Sequence, residues 1–153
     1  NFSGLSMGSF AALYYGATYS PHAILVGKPL VNLGDIAANL KFKRPDYFAT
    51  SLDMMQLIVN QVSSTGVDLF NQRFWSSFKK ENLANTTLAF AYMRDDDYDQ
   101  LAYSKILESL YNQPVRIISS SRPGRHNDAS APIVEWFVTQ YKEIMERDFG
   151  RIE

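Results

Sequence analysis

No cysteine occurs anywhere in the sequence, which excludes disulfides and thiolate metal sites and fits a reducing compartment. Charge of one sign is lacking as well: 15 Lys and Arg stand against 16 Asp and Glu, a net charge of −1. Such a balance supplies no electrostatic reason to bind nucleic acid. No basic run suggests a membrane surface, and no apolar run reaches the roughly 18 residues of a spanning helix. The start lacks the basic segment of a signal peptide. Histidine is scarce, with two in the chain, so a search for a general base has only two candidates.

What is present reads as globular. At 153 residues with 46% hydrophobic content, the chain is long enough for one domain with a sizeable core. An aromatic share of 14% implies large rings in that core or along a cleft.

The most informative local feature is Gly4-Leu5-Ser6-Met7-Gly8. A G-x-S-x-G run followed at once by a helix describes a nucleophile elbow, a serine on a sharp strand-to-helix turn. Glycines are expected on both sides because side chains there would strike the neighbouring strand and helix. Such a turn needs a strand before it, yet the chain opens on Asn1-Phe2-Ser3. The expectation is therefore a fragment of a longer domain.

Apolar patterning predicts a buried helix over Met7–Tyr19, stopped by Ser20-Pro21, and a buried strand over His22–Gly27. A short helix is expected at Asn32–Leu40, another over Arg44–Val62, and a turn at Ser63–Gly66 before a helix over Val67–Lys80. Thr86–Met93 reads as a strand rich in β-branched and aromatic residues. After the acidic run Asp95–Asp99, a helix is expected over Gln100–Tyr111 and a strand over Pro114–Ser119. Ser120–Asn127 reads as a polar loop, and Ile133–Arg147 as an amphipathic closing helix. Strands alternating with helices favour a parallel sheet with helices on both faces. The block from Gly34 to Leu83 carries no strand and reads as a helical insertion over one edge.

A serine at an elbow needs a base and an acid, in the chain order serine, acid, histidine. His22 stands before its strand, at the wrong end. His126 stands in the loop after the last strand, where a base belongs. The acid should follow Thr86–Met93, and Asp96 is favoured, with Asp95 second. Asp97 and Asp99 have a competing role as caps and first-turn acids of the next helix. The spacing Asp95, Asp97, Asp99 also resembles a cation loop, but it lacks the glycine and distal glutamate of a calcium site, and no metal is expected. The N–H of Met7 would be one oxyanion donor. The second donor would come from an earlier strand before Asn1, and losing one donor costs roughly 10²–10³ in rate. The isolated chain is therefore expected to be a poor catalyst. The aromatics Tyr14, Tyr15, Phe74, Trp75 and Tyr98 would supply a sugar-stacking pocket if they are not core.

The run Phe2–Ala17, then Val26–Gly34, Asp96–Asp99, Gly124–Asp128 and the ending Asp148–Arg151 resemble one group over nearly the whole chain. That group is the second accessory Sec secretion protein of Gram-positive bacteria, with the related XcbB/CpsF-type capsular polysaccharide proteins. The resemblance implies the C-terminal half of an α/β-hydrolase-like domain, with Ser6, Asp96 and His126 as its triad. It further implies a serine-dependent acyltransferase or esterase that O-acetylates N-acetylglucosamine on serine-rich glycoproteins. No tightly bound cofactor is implied, and the acyl donor is left open. Partner accessory Sec proteins, a cytoplasmic location and membrane contact only through the translocase complete that picture. A capsule role and a non-catalytic module of a secretion complex are the alternatives.

Overall fold

The computed structural model describes residues 1–38, 64–128 and 130–150. Four strands, β1 (Phe2–Leu5), β2 (Ala23–Gly27), β3 (Thr87–Met93) and β4 (Arg116–Arg122), form one sheet in sequential order. Every neighbouring pair is parallel, with Leu5 opposite Gly27 and Gly27 opposite Ala91. Parallel neighbours need long crossovers. These are made by α1 (Met7–Tyr19), by α2 (Leu33–Ala38) and α3 (Ser64–Ser77) with a short 3₁₀ turn at Lys80–Leu83, and by α4 (Asp97–Ser109). α5 (Ala131–Phe149) follows β4.

β2 is buried along its whole length and β3 along nearly all of it, the expected state of strands covered on both faces. Alternation sorts their side chains. Ile24, Val26, Leu88 and Phe90 pack with Ala12, Leu13 and Ala17 of α1, Phe74 of α3 and Ile106 of α4. Ala23, Leu25, Ala89 and Ala91 face the other way, against Ile133, Trp136 and Ile144 of α5. The small alanines on that side leave room for the Trp136 ring. α1 tolerates Gly16 in its interior because a Cβ there would lie 2.6 Å from Ile24 Cδ1. The glycine lets the helix sit directly on β2.

At the amino ends of the strands, His22 meets Asp148 at 2.6 Å and its ring lies 4.7 Å from Phe149. Arg147 donates to Thr87 Oγ1 at 3.1 Å. His22 thus fastens the end of α5 to the bottom of the sheet, remote in function from Ser6.

Three expected boundaries differ. α3 begins at Ser64, not Val67, so the expected turn at Ser63–Gly66 is largely helix. Gly66 and Val67 are buried, and a Cβ on Gly34 of α2 would lie 2.1 Å from the Val67 carbonyl; packing overrides the turn chemistry. α4 begins at Asp97 rather than Gln100, and β4 runs on to Arg122. The helix expected over Arg44–Val62 lies outside the described residues. Among the described residues, no helix is long and apolar enough to cross a membrane.

Gly16→Val is expected to push α1 off β2 and lower the unfolding free energy by about 1–3 kcal/mol. Equilibrium denaturation measures this; a stability equal to the parent would contradict the close approach.

Candidate active site

Ser6 stands between β1 and α1 with φ 53° and ψ −119°, a region that residues other than glycine seldom adopt. Its N–H donates to Gly27 O at 2.9 Å, which continues the β1–β2 ladder one step beyond Leu5. Its carbonyl accepts from the N–H of Ser9 at 2.9 Å and from the Ser9 hydroxyl. The same Ser9 oxygen accepts the Leu30 N–H at 3.2 Å. The strained residue is therefore held from both flanking segments, as a tight strand-to-helix turn requires. Only one of the two glycines is needed sterically. A Cβ at Gly4 would fall 2.1 Å from the Gly8 carbonyl oxygen, whereas one at Gly8 would meet nothing within 4 Å.

The Ser6 hydroxyl lies 2.7 Å from His126 Nε2, and His126 Nδ1 lies 2.6 Å from Asp99 Oδ1. Asp99, not the expected Asp96 or Asp95, faces the imidazole. The carboxylate is an acceptor only, so Nδ1 carries the proton and Nε2 accepts from the serine hydroxyl. Asp99 Oδ2 accepts the Met93 N–H at 2.9 Å, which fixes the carboxylate plane. Asp96 is the cap of α4: its Oδ1 accepts from Tyr98 N at 3.0 Å and Asp99 N at 3.2 Å. Its Oδ2 accepts the His126 backbone N–H at 3.1 Å, so it sets the height of the histidine loop. Asp95 Oδ2 accepts from Gly124 N at 2.6 Å, tying down the same loop where Gly124 turns at φ 105°.

The roles of Asp96 and Asp99 are thus exchanged relative to expectation. With α4 starting at Asp97, the cap falls three residues earlier, and the third helical residue is free to reach the histidine. Burial drives the Asp99 pKa up; the bonds from His126 and the Met93 N–H pull it back down, and Asp96 adds to the rise. One further group lies outside the expected triad. Lys28, at φ 50° just after β2, is buried and donates to the His126 carbonyl, to Asp128 O at 3.1 Å and to Ser130 Oγ at 3.0 Å.

Met7 is the first residue of α1, where helix geometry leaves an N–H without an internal acceptor. A cleft of about 280 Å³ opens beside Ser6, walled by Leu5 and Ile133 and bordered by Lys28, His126, Asn127 and Ser130. The expected aromatic lining is not among these. Phe74 and Tyr98 are core, Tyr15 is half exposed, and Trp75 donates to Asn32 at 2.8 Å beside a different cleft. For a cation, Asp96, Asp99 and His126 offer atoms within 4.8 Å of one another, but using Nδ1 would sacrifice the bond to Asp99. The Asp95, Asp97, Asp99 spacing gathers no site: Asp95 lies on Gly124 and Asp99 under His126.

Residues 1–151 match the family model described as the accessory Sec system GspB-transporter. The chain belongs to that family. An accessory Sec system protein of Staphylococcus aureus is 48% identical over 151 residues, and one of Streptococcus gordonii is 38% identical over 149. The chain spans 29% of the length of each. Among solved structures, the glycosylation-associated protein (Gap123) complex of Streptococcus agalactiae is 44% identical with a TM-score of 0.85, covering 99% of this chain and 29% of that one. The capsule O-acetyltransferase of Neisseria meningitidis serogroup A shares the fold at 18% identity, with a TM-score of 0.61 over 94% of this chain and 55% of its own.

The exchanged aspartates separate in a proton NMR experiment. The His126 Nδ1 proton is expected far downfield in the parent, lost in Asp99→Asn and kept in Asp96→Asn, whose amide oxygen still caps α4 while its nitrogen can no longer accept the His126 backbone N–H. Loss of the signal in Asp96→Asn alone would reverse the assignment. Gly4→Ala should abolish the elbow, while Gly8→Ala should leave thermal stability unchanged or slightly raised.

Proposed function

We propose that this chain carries the nucleophile, base and orienting acid of a serine acyltransferase that esterifies a glycan hydroxyl. The observation that carries this reading is the relay from Ser6 through His126 to Asp99 on a strained elbow. In it, His126 Nε2 takes the Ser6 proton as Oγ attacks the carbonyl of an acyl donor. The oxyanion forms against the Met7 N–H at the start of α1. Collapse expels the donor's leaving group, which takes the proton from Nε2, and leaves an ester on Ser6. A sugar hydroxyl then gives its proton to Nε2, attacks the ester, and departs acylated as Ser6 regains its proton. Water in place of the sugar gives esterase activity. The reaction draws on no metal ion and no tightly bound cofactor; the acyl group arrives on its donor.

The capsule O-acetyltransferase likeness supports sugar O-acylation on this fold, and the elbow supports reading the sheet as the C-terminal half of an α/β-hydrolase-like domain. Membership in an accessory Sec family supports a glycoprotein acceptor, N-acetylglucosamine on an exported serine-rich protein, and partner accessory Sec proteins at a translocase on the cytoplasmic side. A capsule polysaccharide acceptor is the second reading, favoured by the capsule enzyme's shared fold.

A fluorophosphonate is expected to label the full-length protein at Ser6, with Ser6→Ala and His126→Ala unlabelled. Absence of label on the parent would favour a scaffold that keeps the fold without the chemistry. Asp99→Asn should reduce kcat/KM on an ester substrate by about 10²–10⁴-fold, and Asp96→Asn by less than tenfold. Because the folded Asp99 pKa is raised, this carboxylate takes up its proton before pH falls into the usual carboxylate range. Activity should therefore fail on the acid side earlier than ordinary carboxylate titration requires, as a pH–rate profile will register.

A further inference from the structure

Lys28 is 5% exposed, and its surroundings are unusual for a lysine. Its own N–H donates to Ala91 O at 2.7 Å, keeping the end of β2 on β3 while φ turns positive. Nζ of the side chain finds the carbonyls of His126 and Asp128 and the Ser130 hydroxyl. Three acceptors match the three N–H bonds of an ammonium, and a neutral amine has only two. The bonding therefore selects the charged form in a buried place, where an ion without compensation is costly.

The compensation is reciprocal. Asp96 and Asp99 at the start of α4 are fully buried, and Asp99, Asp128 and Asp96 all act on Lys28 by charge. Other charged or titratable groups around them are His126, on Asp99, Arg125, 4.0 Å from Asp96 Oδ2 and a quarter exposed, and the buried Tyr98, on which Asp96 and Asp97 both act by charge. Burial pulls the lysine pKa down and the three carboxylates hold it up. Lys28 thus performs two tasks with one group: it closes the carbonyl side of the loop that Asp96 and Asp95 close from below, and it supplies a buried positive charge to the carboxylate under the histidine.

We propose that Lys28 is a positioning residue whose ammonium seats the His126 loop and keeps Asp99 ionised beneath the imidazole. The proposal rests on the acyltransferase reading for its catalytic consequence, but not for its electrostatic one.

The test uses the full-length protein, with fluorophosphonate inactivation followed from acid to neutral pH. Lys28→Met, of similar length and without charge, should react at least tenfold more slowly at its optimum. Its acid limb should also move up by about 0.5–1 pH unit. Lys28→Arg keeps the charge in a flat fork, so it should lose rate yet retain the parental acid limb. A merely structural lysine would slow both variants without moving either limb. An unchanged limb in Lys28→Met therefore overturns the proposal, as does a parental rate. If Lys28→Met does not fold, Lys28→Gln is read in the same way. A parent that is inert at every pH contradicts the nucleophile reading alone. The downfield His126 proton then decides the matter, since in the charge-free variant it should vanish at a higher pH than in the parent.

Discussion

His126 can accept a proton from Ser6 only while its other nitrogen keeps one, and the 2.6 Å bond to Asp99 keeps it there. Every unusual feature nearby serves that bond or bears its cost. The carboxylate is fully buried, which by itself favours the neutral acid and would weaken its hold on the imidazole. The bond from His126 and the Met93 N–H oppose that tendency. Asp96 contributes repulsion but repays it in geometry, because one side chain caps α4 and suspends the His126 backbone.

The parallel sheet makes this convergence possible. With four strands aligned and adjacent in chain order, their carboxyl ends share one edge, and each end leads to one residue of the candidate site. β1 runs into Ser6, β2 into Lys28, β3 through the acidic turn to Asp99, and β4 through the Gly124 turn to His126. Ligand chemistry at the carboxyl edge of open α/β sheets follows from this layout. The opposite edge holds His22, Arg147 and Asp148, which fasten α5 to the strands.

From α1 onward the order of strands and helices was legible in the sequence, because β2 and β3 are largely apolar and α1 follows a G-x-S-x-G turn. β1 (Phe2–Leu5) was not, since the strand before the elbow was expected ahead of Asn1 and four residues carry little pattern. Ser6 and His126 were legible: one motif and one histidine in the right place. Asp99 was not. Four aspartates between positions 95 and 99 all look like caps, and which one caps depends on where α4 begins. A helix start misplaced by three residues moves the cap from Asp96 to Asp99 and so exchanges their roles. The D-x-x-D pairing of cap and third helical residue was the available signal. Lys28 stood within the Val26–Gly34 run without a role of its own, since its contacts depend on a positive φ and on a loop almost a hundred residues away. Phe74 and Tyr98 join the core, the reading already favoured for the aromatics, because size and spacing alone do not single out a stacking platform.

The chain belongs to an accessory Sec family and shares its fold with a capsule O-acetyltransferase; the proposed chemistry concerns one oxygen. Intact-mass and peptide mass spectrometry of the full-length protein after brief exposure to an activated acetyl ester tests it most directly. The account predicts a single added acetyl group on the peptide containing Ser6, formed much more slowly in Asp99→Asn and discharged by a sugar acceptor. An unmodified Ser6, or acetylation that is indifferent to Asp99, would contradict it.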